Sequence, residues 1–270
     1  MKKHTICAIS ENDIWKDRRN PPVVRVLGVP ITFARREEVL NVVEDARNDG
    51  ERRYIVVTNP HSILMCRRDR EMLAATLGAD LTLPDGVGTS LAARLLDGKS
   101  EKQRTPGPEL MLYLLDQGRA IGLRHYLYGG RPDVLEELAR RMRLLFPGVL
   151  IVGTYSPPFR PLSDEEDEGI IEKISCTDPD VVWIGLGAPK QEKWMASHLG
   201  RIRAAVMIGV GAAFDYHAGA VPWAPGWVRK AGLEWIYRLL HEPRRLWRRN
   251  LDSPLFVALV CAQKAGIVRE

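Results

Sequence analysis

The chain has 270 residues, 45% of them hydrophobic, and a formal charge of +5, enough to bury a large core in one domain or one domain with an appendage. Its longest apolar runs, Ala204 to Phe214 and Leu255 to Ala262, fall short of the roughly 20 residues a bilayer-spanning helix needs, and Met1 to Ser10 is too weakly apolar for a secretory signal core. Cys7, Cys66, Cys176 and Cys261 have neither zinc-ligand nor secreted-framework spacing, so reduced thiols in a cytoplasm are expected.

Residues 1–22 read as a variable leading segment. From Val23 onward, short β-rich runs alternate with amphipathic stretches. Strands are predicted at Val24 to Val29, Arg53 to Thr58, Leu81 to Leu83, Arg124 to Tyr128, Val149 to Tyr155, Val181 to Leu186 and Ala204 to Val210. Helices are predicted between and after them at Arg35 to Asp49, His61 to Leu77, Thr89 to Asp97, Gly107 to Gln117, Pro132 to Phe146, Ser163 to Cys176 and Pro189 to His198. This alternation predicts βαβ crossovers: an α/β, Rossmann-like core over residues 23–219, with a mainly parallel sheet and helices on both faces.

After Gly219 no strand signal remains, and residues 220–270 read as a basic, Trp-rich helical appendage. Leu233, Ile236, Tyr237, Leu239, Leu240 and Trp247 supply an apolar face, and Ser253-Pro254 suits the start of a last short helix. Between Arg229 and Asn250 stand seven basic residues against two acidic ones, so almost all the net charge is concentrated there. Trp223, Trp227, Trp235 and Trp247 lie in the same appendage. Arginines beside tryptophans suit an anionic membrane surface, while no nucleic-acid motif accompanies them.

Ligands of open α/β sheets gather at the carboxyl ends of the strands. Five junctions there are chemically rich: Thr58-Asn59-Pro60, Pro84-Asp85-Gly86, Tyr128-Gly129-Gly130, the Gly185-Leu186-Gly187 stretch through Gln191, and Gly209-Val210-Gly211. A lone G-x-G is weak evidence for a dinucleotide site. Lys190 stands where the third glycine would be, which weakens an NAD-dependent reading, although free amides at a helix start can hold a phosphate. Asp85 is either an Asx-turn residue or a functional carboxylate. As a helix cap it would place Gly86 and Gly88 in the first turn, so Thr89 is the expected cap. Asp178-Pro179-Asp180 has the letters of a metal-binding D-x-D, but precedes its strand at the edge away from ligands and reads as a turn.

Taken together, "VVTNPHSIL", "LTLPDGVG", "RTPGPEL", "YLYGG", "IGLGAPKQEKWM", "IGVGAAFDYHAG" and "APGWVRKAGLEWIYRLLHEPRRLWRRN" resemble the WecG/TagA/CpsF family of bacterial glycosyltransferases over Val23 to Asn250. The resemblance implies a Rossmann-like core of the GT-E type and an inverting transfer, without metal or cofactor, from a UDP-sugar to a polyprenyl-diphosphate-linked acceptor at the cytoplasmic face of the membrane. It also implies Asp85 as general base. Thr58, Asn59, Gly86, Gly129, Gly130, Gly187, Gln191 and Gly211 would line the substrate site, with Arg238, Arg245 and Arg248 closing over it. Where the family reads "TGPDL", this chain has Thr105-Pro106-Gly107-Pro108-Glu109. A homo-oligomer is compatible with the sequence, and a membrane-peripheral nucleotide-binding protein without catalysis is the rival reading.

Overall fold

The computed structural model describes residues 21–98, 104–243 and 252–268. The run expected as one strand over Val24 to Val29 is instead a hairpin. Strands β1 (Val23–Val26) and β2 (Val29–Thr32) pair antiparallel. Between them Leu27 and Gly28 have φ of 51° and 86°, the left-handed pair that a two-residue hairpin turn requires.

Helix α1 (Arg36–Asp49) leads into a six-stranded sheet of β3 (Arg53–Thr58), β4 (Leu81–Pro84), β5 (Arg124–Gly129), β6 (Leu150–Tyr155), β7 (Val181–Gly185) and β8 (Val206–Gly209). All its pairings are parallel, in the order β4-β3-β8-β7-β5-β6. The crossovers are α2 (Pro60–Arg68), α3 (Arg70–Leu77), α4 (Val87–Asp97), α5 (Gly107–Gln117), α6 (Pro132–Leu145), α7 (Asp164–Ser175) and α8 (Lys190–His198), and α9 (Ala213–Ala218) follows the last strand. The single helix expected over His61 to Leu77 breaks at Asp69, whose carboxylate accepts the Glu71 and Met72 amides, each at 3.0 Å. A local acceptor there outcompetes the continuing helix and caps α3 instead.

Alternation along the strands sorts the core into two faces. Ile55, Leu127, Trp183 and Ile208 pack with α1, α5 and α6, whereas Tyr54, Val56, Tyr128 and Ile184 pack with α7 and α8. Being covered on both sides, the strands read as continuous apolar runs. Register then aligns their carboxyl ends: Thr58 faces Pro84, Gly209 faces both Val56 and Ile184, and Gly129 faces Gly185. Four of the five junctions singled out in sequence thereby meet directly along one edge, and the fifth follows β8.

Beyond the sheet come α10 (Gly226–Lys230), α11 (Glu234–His241) and α12 (Asp252–Lys264). Helix α12 returns to the core, burying Phe256 and Val260 against the β1–β2 hairpin. The Asp252 carboxylate meets His61 Nδ1 at 2.7 Å and Arg68 at 2.9 Å, and Gln263 binds the Leu27 amide and Arg25 carbonyl of the hairpin turn. The chain that carries α11 is therefore anchored on both sides. Arg245, Trp247 and Arg248 lie outside the described residues.

Candidate active site

Asp85 follows β4, and its amide donates to the Thr58 carbonyl at 2.9 Å, carrying the β3–β4 ladder one residue past the strand. Its Oδ1 accepts the Gly107 amide at 3.1 Å. That amide opens α5, so the carboxylate sits at the positive end of an eleven-residue helix. The bond spans 22 residues, unlike the local bond of an Asx turn. The Thr105 amide donates to the Pro84 carbonyl at 3.0 Å, laying the 104–107 segment beside Asp85. The half-buried carboxylate is thus fixed from two sides.

Thr89 is not the cap of α4. Gly86 holds that place, and Thr89 is buried inside the helix with its hydroxyl directed at the Thr58 carbonyl, 3.4 Å away. Gly88 therefore does enter the first turn, despite its conformational cost of about 1 kcal/mol. Packing decides it: a Cβ at Gly88 would come within 2.8 Å of Pro60 Cγ. The starts of α2 and α4 meet too closely for any side chain there.

Asn59 caps α2 through Oδ1, which accepts the Ser62 amide at 3.2 Å. Thr58 is fully buried, and its Oγ1 has no protein partner. Gln191 is 4% exposed; its Oε1 accepts the Gly211 amide at 3.1 Å, and its Nε2 donates to Glu192 Oε1 at 2.9 Å. It holds the exit of β8 in shape, while the fully enclosed Glu192 carboxyl is raised by burial. Gly129 approaches Gly185 so closely that a Cβ would stand 2.7 Å from its carbonyl carbon, and the Gly130 amide is taken by the Gly185 carbonyl at 3.1 Å. Gly187 has φ of 75° and open space around it. Four inter-strand steps of about 4.8 Å put Asp85 roughly 19 Å from Gly129.

Helix α11 lies across the Asp85 end of this row. Its Glu234 and Arg238, one turn apart, face inward. Glu234 pairs with Arg104 at 3.6 Å, and Arg238 stands 5.5 Å from the centroid of the Tyr216 ring. Burial, and then the charge of Asp85, raise Glu234, against the pull of Arg104. Burial also raises the Tyr216 phenol, opposed by Arg238 and reinforced by Asp85. Tyr216 Oη and Arg238 Nε are buried with no protein partner. A second contact ties the appendage down: Arg229, stacked 4.0 Å over Trp223, pairs with Glu109, and Arg104 donates to the Arg229 carbonyl. Glu109 is thus the partner of a basic residue from the appendage.

The other face of α11 points outward. Leu240 is 74% exposed and Trp235 54%, with Trp227 of α10 at 70%. The apolar side of an amphipathic helix faces away from the core, the reverse of the usual arrangement. At the opposite edge of the sheet, Asp180 accepts the Arg124 amide at 2.8 Å and pairs with Arg47, and Asp178 occupies a left-handed turn; the D-x-D letters are structural.

Arg104, Tyr216 and Glu234, none of them picked out from the sequence as site residues, stand here with Asp85 and Arg238, while Glu109 was marked there only as a departure from the family's pattern. The four-residue spacing of Glu234 and Arg238 was a legible sign that both occupy one helical face.

A family model described as Glycosyl transferase WecG/TagA/CpsF family matches residues 24–269. The chain is 34% identical over 207 residues to an N-acetylglucosaminyldiphosphoundecaprenol N-acetyl-beta-D-mannosaminyltransferase of Bacillus spizizenii, covering 77% of this chain and 78% of the relative. Proteins of the same description are 30% identical in Bacillus subtilis, over 78% of this chain and 79% of the relative, and 28% identical in Staphylococcus aureus strain MW2, over 93% and 97%.

Proposed function

Because the chain belongs to the WecG/TagA/CpsF glycosyl transferase family and is a glycosyltransferase, we propose that it moves a hexose or N-acetylhexosamine-type sugar from a UDP-sugar onto a polyprenyl-diphosphate-linked saccharide, in cell-surface polysaccharide synthesis. The transfer is inverting and needs no metal, with Asp85 as general base. The observation that carries this reading is a carboxylate at the ligand edge of the sheet, fixed by the Gly107 amide and covered by the polar face of α11.

The acceptor hydroxyl gives its proton to Asp85 as its oxygen bonds to the anomeric carbon. The bond from that carbon to the nucleotide oxygen breaks on the opposite face, and the diphosphate departs with the electron pair. Positioned base catalysis is worth about 10²- to 10⁴-fold. Charge growing on the leaving group is met by Arg238, with Arg245 and Arg248, as guanidiniums suit phosphate oxygens. The donor extends away from Asp85 along the carboxyl ends of β8, β7 and β5, the edge where ligands of such sheets gather.

The outward Trp227, Trp235 and Leu240, together with the arginines of the appendage, suit an anionic bilayer at the cytoplasmic face. No helix among the described residues is long and apolar enough to cross one. The test is sugar transfer from a panel of UDP-sugars to a short-chain polyprenyl-diphosphate N-acetylglucosamine, with and without chelator. Turnover that persists with chelator is expected. No transfer from any donor, or its abolition by chelator, overturns the reading.

A further inference from the structure

Tyr216 Oη is a buried hydroxyl without a protein partner, and such a group costs stability unless something else supplies the bond. Its ring is held by Arg238 at 5.5 Å and lies near-parallel to Trp223 at 6.3 Å, so the hydroxyl is rigidly placed. Glu234 reaches the same space from α11 and pairs with Arg104, whose neighbour Thr105 donates its amide to Pro84, the residue before Asp85. Glu234 and Asp85 bring two carboxylates, and against them stand Arg104, engaged by Glu234, and Arg238 beside the Tyr216 ring, so the charges here balance without a further ion. The ligand that suits this ground is uncharged and rich in hydroxyls.

We propose that Tyr216 and Glu234 form the subsite for the acceptor sugar, Tyr216 Oη donating to one of its oxygens and Glu234 accepting from one of its hydroxyls, so that the attacking hydroxyl is presented to Asp85. The inference rests on the glycosyltransferase reading and adds two binding residues to it. It also gives α11 a part in the site, since that helix brings Glu234 as well as Arg238.

The test uses the full chain carrying Tyr216→Phe or Glu234→Gln, with KM measured separately for donor and acceptor. Loss of one hydrogen bond to the sugar is expected to raise the acceptor KM about five- to tenfold, with the donor KM changed less than about twofold. The Tyr216→Phe protein should melt no lower than the parent, since its hydroxyl bonds to nothing in the protein; a merely structural tyrosine would show the reverse. An acceptor lacking the contacted hydroxyl should bind the parent and the variant alike. An unchanged acceptor KM in both variants, or a rise confined to the donor, overturns the subsite. Absence of turnover in the parent would instead strike the glycosyltransferase reading.

Discussion

Replacing Asp85 with Asn removes one charge and keeps the shape, and the structure indicates how the consequences divide. The carboxylate accepts the Gly107 amide at a helix start; exchanging charge for a neutral oxygen there costs about 0.3–1 kcal/mol. Against this, the charge of Asp85 disfavours ionised Glu234, so its removal offsets part of the cost. The net is under about 1 kcal/mol, or roughly 2–4 °C in a chain of this size. Turnover should fall by about 10²- to 10⁴-fold through loss of the base. The assay is initial rate at saturating donor and acceptor, beside UDP-sugar affinity by calorimetry and a melting curve. A variant that keeps more than about a tenth of the parental kcat refutes Asp85 as base. One that loses activity together with a fall of 10 °C refutes the claim that its role is chemical.

Three further outcomes follow from the geometry. Glu109→Arg and Arg229→Glu should each lower kcat by disturbing the 104–109 segment that holds Asp85, and the double exchange should restore much of it, with a coupling of about 0.5–3 kcal/mol by melting; additive losses would show that the pair does not act as a unit. Trp235→Glu with Leu240→Glu, on the outward face of α11, should weaken sedimentation with anionic vesicles while leaving the melting temperature within about 1 °C; unchanged sedimentation removes this face from the membrane reading. Burial lowers His125 to about 3 and His217 to about 4 from 6.5. Below 6.5 the unfolded chain binds protons that the fold refuses, so stability is full above that pH and declines toward pH 4, by at most about 1.4 kcal/mol per pH unit for each histidine. Melting curves from pH 7.5 to 4.5 check this, and His125→Phe should flatten the decline.

Removing the appendage wholesale is a poor probe of its role. A chain ending near Gly219 would also lose α12, whose Phe256 and Val260 complete the hairpin cluster. Burying such side chains is worth about 1.5–3 kcal/mol each, so loss of activity would be inseparable from loss of stability. Point changes on α11 avoid this, because its outward face contributes nothing to the core.

The sequence by itself determined the α/β alternation, the core strands and the placing of Asp85 before a helix, since two-sided burial leaves apolar runs and turn residues that can be read locally. It also showed that Asp178 and Asp180 stand at the wrong edge. The hairpin at Leu27-Gly28, the break at Asp69 and the cap at Gly86 were decided by local bonds and close packing that compete with propensity, and in the last case by Pro60 from another helix. Only the tertiary structure brought Arg104 to Glu234, Arg229 to Glu109 and Tyr216 beside Arg238. Those partners are separated by 22 to 130 positions, and which charges meet across such distances depends on how helices pack. Asp85 shows the division most clearly: its position at a strand end was legible, but the amide that aims it belongs to Gly107, reached only when the 104–107 segment is laid beside the end of β4.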